Sequence, residues 1–244
     1  MDRSEECSPN IYSKSGSWEN VEKSSESGKT LAAFLKKFCG YTDERGKMRE
    51  NTTISYYNNH ADEFYNSTVN VAFTAMQEHF LSKLQKGSYI LDFGCGSGRD
   101  TKYFLQQGYR VEAMDGSVEL CRRAHTYAQT EVKHMLFQEL SEREKYDGIW
   151  ACSSILHLRA DELASVLQKM MIALKQSGII YTSFKYGTFE GERNGRYFTD
   201  MTEVLFAELL KKVDGLEVEE QWITLDVRPK RGEERWLNLI LRKR

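Results

Sequence analysis

The chain has 244 residues, 40% of them hydrophobic, enough for one sizeable α/β core with an appendage. Its net charge is −2, from 34 Lys and Arg against 36 Asp and Glu, so no global field draws it to nucleic acid or a membrane surface. Five cysteines without paired spacing argue against a disulfide framework, no apolar run nears the ~20 residues of a membrane span, and the polar N-terminus does not resemble a secretory signal, so a reducing, cytoplasmic setting is expected.

Residues 1–29 are serine-rich and nearly devoid of large aliphatics, and are expected to be a disordered or poorly packed tail. Thr30–Cys39 has the pattern of a short amphipathic helix ended by Gly40, and a charged connector follows, so 30–54 is expected to join the tail to a domain over 55–244. Two helical stretches come next, Ser55–Tyr65 and Val69–Leu84. Tyr56, Tyr57, His60 and Phe64 recur at helical spacing on the first. They pack this lid helix on the core, or Tyr56 or Tyr57 closes over a ligand; packing is expected for Phe64.

Tyr89–Leu91 is a short apolar run suited to a buried strand, and Asp92-Phe93-Gly94-Cys95-Gly96-Ser97-Gly98 follows at once. Glycines at alternate positions make a turn with little side-chain bulk, where backbone can approach a ligand. A helix begins near Arg99, so free N–H groups facing a pocket are expected. A second strand, Arg110–Met114, ends at Asp115, 23 residues beyond Asp92, about one strand–helix–strand unit. An acid there can accept both hydroxyls of a ribose. A dinucleotide fingerprint would need its third glycine at Arg99, so that pattern fails.

A helix over Val118–Ala128, a weak strand over Glu131–Phe137 and a strand over Tyr146–Cys152 continue the alternation. The helix over Ala160–Leu174 carries Met170 and Met171 on its apolar face, more plausible as core filler than as a cofactor box. A strand at Gly178–Phe184, a polar insertion at Lys185–Thr199 and a helix over Thr202–Val213 lead to strands at Leu216–Leu225 and Arg235–Leu241. Only a hairpin-length loop separates these two. The expected fold class is α/β: a doubly wound, mainly parallel, seven-stranded sheet, Rossmann-like, with an antiparallel last strand.

The sequence Asp-x-Gly-x-Gly-x-Gly, joined to this ending, resembles the class I S-adenosylmethionine-dependent methyltransferases. The run Gly94-Cys95-Gly96-Ser97-Gly98-Arg99, with Tyr103-Phe104-Leu105, Gly108-Tyr109, Val111, Ala113 and Asp115, is similar to the tellurite-resistance group among them. The resemblance spans roughly 55–244 at fold level, and is motif-grade over Ile90–Ser117 and Trp150–Leu158. It implies S-adenosyl-L-methionine as cofactor and no metal. Asp92, Gly94, Cys95, Gly96 and Gly98 would line the methionine part. Asp115 would take the ribose, Gly116 and Ser117 would lie beside the adenine, and Gln138 or Glu139 would meet the adenine amine. Ala151, Cys152 and Ser153 would pass beneath the cofactor, with Tyr57 on the lid. Cys152 lacks an obvious paired base, which favours a packing residue over a nucleophile.

His157 lies just past the fourth strand, where it could serve as a base or simply hydrogen-bond its loop. Basic loops gather at the carboxyl ends of the strands: Lys185, then Arg196 with Tyr197, then Arg228. Their placement suggests a small acceptor carrying a carboxylate or phosphate. An RNA acceptor and a non-catalytic cofactor-binding module remain alternatives. With prolines only at Pro9 and Pro229, the Pro-containing motifs of amino-methylating DNA enzymes and of cytosine C5 enzymes are absent. The basic loops oppose a polyamine channel.

Overall fold

The structure is a computed structural model that describes residues 51–228 and 231–244. The tail expected over 1–29 and the helix expected over Thr30–Cys39 lie outside the described residues. In chain order the elements are α1 (Thr52–Asn59), α2 (Ala61–Thr68), α3 (Thr74–Leu81), β1 (Tyr89–Phe93), α4 (Arg99–Gln106), β2 (Arg110–Asp115), α5 (Val118–Ala128) and β3 (Val132–His134). There follow β4 (Tyr146–Ala151), α6 (Ala160–Ala173), β5 (Leu174–Lys185), β6 (Glu190–Arg193), β7 (Arg196–Thr199), α7 (Glu203–Leu210), β8 (Leu216–Leu225) and β9 (Arg235–Lys243).

Seven strands form one sheet in the order β3-β2-β1-β4-β5-β9-β8. The first five run parallel, and β9 is antiparallel to both β5 and β8. This is the doubly wound sheet with its antiparallel last strand that the sequence predicts. The central strands are continuous apolar runs because both sheet faces are covered. Leu91, Ile149 and Ile180 go to one face, against Leu163, Leu167 and Met170 of α6 and Phe206 of α7. Their neighbours Ile90, Trp150 and Ile179 go to the other, against Phe80 of α3 and Phe104 of α4. Met170 is therefore core, as expected.

Three expected elements differ. The single helix expected over Ser55–Tyr65 is two, broken at His60, whose backbone leaves the helical region (φ −117°, ψ 24°). The helix expected over Val69–Leu84 is confined to α3. The polar insertion is a hairpin: β6 and β7 pair around Asn194-Gly195, both at positive φ (50° and 75°). A two-residue turn of the primed kind needs that backbone, so the Asn-Gly pair was a legible signal.

Candidate functional site

The cofactor-side half is built from the carboxyl ends of β1, β2 and β4. The chain leaves β1 at Phe93 and turns through the glycines into α4. Gly98 caps α4 at φ +78°, and a Cβ there would sit 2.9 Å from the Ala124 backbone, so only glycine lets α4 and α5 approach. A Cβ on Gly94 would sit 2.5 Å from Cβ of Ser154, which is itself fixed by its Oγ donating to the Phe93 carbonyl at 2.6 Å. Several N–H groups of the turn are engaged. Gly94 and Cys95 both donate to the Met114 carbonyl at 2.9 Å, and Gly96 donates to Asp115 Oδ2 at 2.9 Å. The turn is thus pinned to β2 rather than left open.

Asp115 also accepts from Ser117 N–H at 2.8 Å. Burial raises its pKa, opposed by the N–H groups of Ser117 and Gly96. Each of its oxygens keeps a lone pair for another donor, as a ribose diol requires. Asp92 is buried, accepts from Thr101 Oγ1 at 2.5 Å, and has its pKa raised by burial and by Asp100. Burial works against ionisation of Asp100 too, but Arg99 beside it, with the donors Trp150 and Gln77, holds its pKa low. Those contacts tie α4 to α3 and β4. Burial, with Asp100 nearby, pushes the Cys152 thiol up to about 12, so it stays a thiol at neutral pH and suits packing rather than attack.

The lid comes from α1 and α2. Ile54 lies against Gly116, with Leu136 on the same side, and Phe64 lies against Gly96. Asn58 Oδ1 accepts from Ser117 Oγ at 2.7 Å, while Ser117 Oγ caps α5 by accepting from Leu120 N–H. The sequence leaves Tyr56 or Tyr57 to close over the cofactor and expects Phe64 to pack; in the structure Phe64 lies against Gly96 and Ile54 against Gly116, and the Tyr57 hydroxyl reaches His157. Nothing in the sequence distinguishes these helical apolar positions. Gln138 Nε2 donates to Glu162 on α6 at 3.0 Å.

The other half joins α1, the His157 turn and the β6–β7 hairpin. His157 Nδ1 lies 2.6 Å from the Tyr197 carbonyl, and its Nε2 lies 2.8 Å from the Tyr57 hydroxyl. A carbonyl can only accept, so Nδ1 carries the proton and Nε2 accepts from Tyr57. Burial lowers the His157 pKa to about 4, which keeps the ring neutral. Tyr197 N–H donates to Thr53 Oγ1 at 2.9 Å, and Tyr56 packs under Arg196 at 4.6 Å, so the hairpin is fastened to α1.

Phe198 stands among the cations, with Lys185 at 5.9 Å and Arg193 and Arg196 each at 5.3 Å from its ring. Lys185 is paired with Glu234, Arg228 with Asp226, and Arg193 with Asp200. Arg196 differs. Among the described residues no carboxylate pairs with it, and its buried Nε has no hydrogen-bond partner. Tyr197 directs its hydroxyl to Glu190 at 2.8 Å. The expected convergence of Lys185, Arg196 and Arg228 on one anion therefore reduces to Arg196, because the other two already hold acids.

Residues 90–178 match the family described as a methyltransferase domain. A 98-residue segment is 36% identical to N-terminal Xaa-Pro-Lys N-methyltransferase 1-B of Xenopus laevis, covering 37% of this chain and 44% of the relative. The chain spans less than half the length of the curated relatives it matches. Among solved structures, the fold matches 1,6-didemethyltoxoflavin-N1-methyltransferase of Burkholderia thailandensis, crystallised with 1,6-didemethyltoxoflavin and S-adenosylhomocysteine. The TM-score is 0.63 at 22% identity, over 88% of this chain and 89% of that one. A TehB-like methyltransferase of Corynebacterium glutamicum matches with TM-score 0.59 at 21% identity, over 78% and 99%.

Proposed function

We propose that this chain is a class I S-adenosylmethionine-dependent methyltransferase, a reading that its fold and its methyltransferase-domain segment support, and that it methylates a small acceptor bearing an anionic group. The residues present suit the cofactor: Asp115 keeps lone pairs for the ribose, and the apolar side chains of Ile54 and Leu136, which close on Gly116, would face the adenine. Asp92 and the turn from Gly94 to Gly98 would hold the methionine end. When bound, it supplies a methyl group already activated on a sulfonium. The protein's task is then to align the acceptor and exclude water. Ile54, Phe64 and Tyr57 shield the site from the lid side.

The observation that carries the acceptor class is Arg196. A guanidinium has five N–H donors, and this one has a buried Nε without a partner, an aromatic floor, and no carboxylate beside it among the described residues. A carboxylate or phosphate on the acceptor would complete it. The test is transfer of labelled methyl from S-adenosylmethionine into the small-molecule fraction of a cell extract, with mass identification of the product. Label appearing instead in tRNA, with binding that falls by roughly 0.7 log units per phosphate contact per tenfold salt, would overturn the small-acceptor assignment. Label in protein N-termini would do the same.

A further inference from the structure

Tyr57 meets two residues from the other side of the site, His157 through its hydroxyl and Arg196 beside its ring. Because His157 Nδ1–H is committed to the Tyr197 carbonyl, the Tyr57 proton points at Nε2, 2.8 Å away. A hydroxyl oxygen then has two lone pairs left. Both remain, on an oxygen whose ring lies beside the anion-seeking Arg196 guanidinium, 5.8 Å from the ring centroid. Tyr57 belongs to α1 and His157 to the turn after β4, 100 residues later, so the pair exists only while α1 is seated.

We propose that Tyr57 is the catalytic residue that takes the acceptor's proton, with His157 the positioning residue behind it. This rests on the methyltransferase function proposed above. Methyl transfer forms the bond between acceptor and methyl carbon and breaks the carbon–sulfur bond, whose electron pair stays on sulfur. The acceptor's proton passes to the Tyr57 oxygen as the Tyr57 proton passes to His157 Nε2. Positive charge leaves sulfur as it appears on the imidazolium, so the net charge of the site is unchanged. After release of the products the imidazolium returns its proton to solvent. The groups facing the pair are Arg196 and Arg228 from the hairpin side and the last loop, Asp115 from β2, and Tyr56 from α1. Burial lowers the His157 pKa to about 4, so Nε2 is unprotonated across the neutral range and the loss of rate on the acid side should fall near that pH.

Tyr57→Phe keeps the ring and its edge contact with Phe64 while removing the hydroxyl. It should lower methyl transfer into the extract by at least ~100-fold, the lower range for general base catalysis, and leave S-adenosylhomocysteine affinity within about twofold. His157→Gln, which removes the final acceptor of the proton, should lower transfer at least as much and abolish the loss of rate on the acid side, which a purely structural role would not alter. Nitrogen NMR of the ligand-free protein gives a readout apart from activity. His157 should carry its proton on Nδ1, and Tyr57→Phe should shift Nε2 while leaving Nδ1–H in place. Wild-type transfer by Tyr57→Phe, or a proton on Nε2 in the unsubstituted protein, would overturn the assignment of Tyr57. No transfer by the wild type would remove the methyltransferase function itself, and the Tyr57 role with it.

Discussion

The two halves of the site are made in different ways. The cofactor side lies within one strand–helix–strand unit: Asp92 and the glycines are joined to β2 by backbone hydrogen bonds, and the Gly96 N–H donates to the Asp115 carboxylate. The acceptor side is gathered from three distant segments, with Thr53 meeting Tyr197 across 144 residues and Tyr57 meeting His157 across 100. A site half held by a sheet tolerates little change of backbone. One held by side chains from separate elements tolerates substitution but depends on every element being seated. The difference gives an order of expected effects.

The largest belongs to the turn. Gly98→Val would place a branched side chain at φ +78° and into the Ala124 backbone, which cannot yield without moving α5. The combined strain and clash should exceed about 3 kcal/mol, and a thermal melt followed by circular dichroism should show the protein largely unfolded. A native-like melt would mean that α4 and α5 can separate, and that the cofactor side is less rigid than its hydrogen bonds imply.

Next is Asp115→Ala, which removes the acceptor for two backbone donors and for the ribose. Calorimetry with S-adenosylhomocysteine should show affinity falling by roughly 10- to 100-fold, at about 1 to 1.5 kcal/mol per lost hydrogen bond. Unchanged affinity would contradict the role of Asp115. Smaller again is Arg196→Ala. Use of the acceptor should fall by about tenfold or more, the scale of a charge-assisted hydrogen bond, with S-adenosylhomocysteine affinity retained. Equal losses of both would show that Arg196 supports the whole lid rather than the acceptor.

The same contrast explains what the sequence could reveal. The sheet, its order and the glycine turn were legible because their signals are local: apolar runs, glycines at alternate positions, an acid one unit later. The hairpin around Asn194-Gly195 was also locally marked, yet its polar composition concealed it. The partners across the site were not legible. Whether Lys185 or Arg228 seeks an anion depends on Glu234 and Asp226, which come near only when the last strands pair. Phe64 and Tyr57 sit at equivalent-looking positions of one helical pattern, and a break in that helix at His60 helps decide which of them covers a glycine and which meets His157.

The smallest expected effect bears most directly on the comparison. Helix α1 is bonded to the hairpin at its first turn, through Thr53, and to the start of α5 at its last, through Asn58. Thr53 touches the acceptor side through Tyr197 and is not among the residues that frame the cofactor. Thr53→Val keeps the shape and removes one buried hydrogen bond, leaving the Tyr197 N–H unsatisfied, at a cost of about 1 kcal/mol or somewhat more. If α1 seats as one unit, that cost should also appear on the cofactor side, because Ile54 and Asn58 are carried by the same helix. S-adenosylhomocysteine affinity should then fall by no more than about fivefold for Thr53→Val and similarly for Asn58→Ala. The double variant should lose less than the product of the two, since a helix already loosened at one end has less to lose at the other. Full additivity, or an affinity untouched by Thr53→Val, would mean that the two halves of the site close independently.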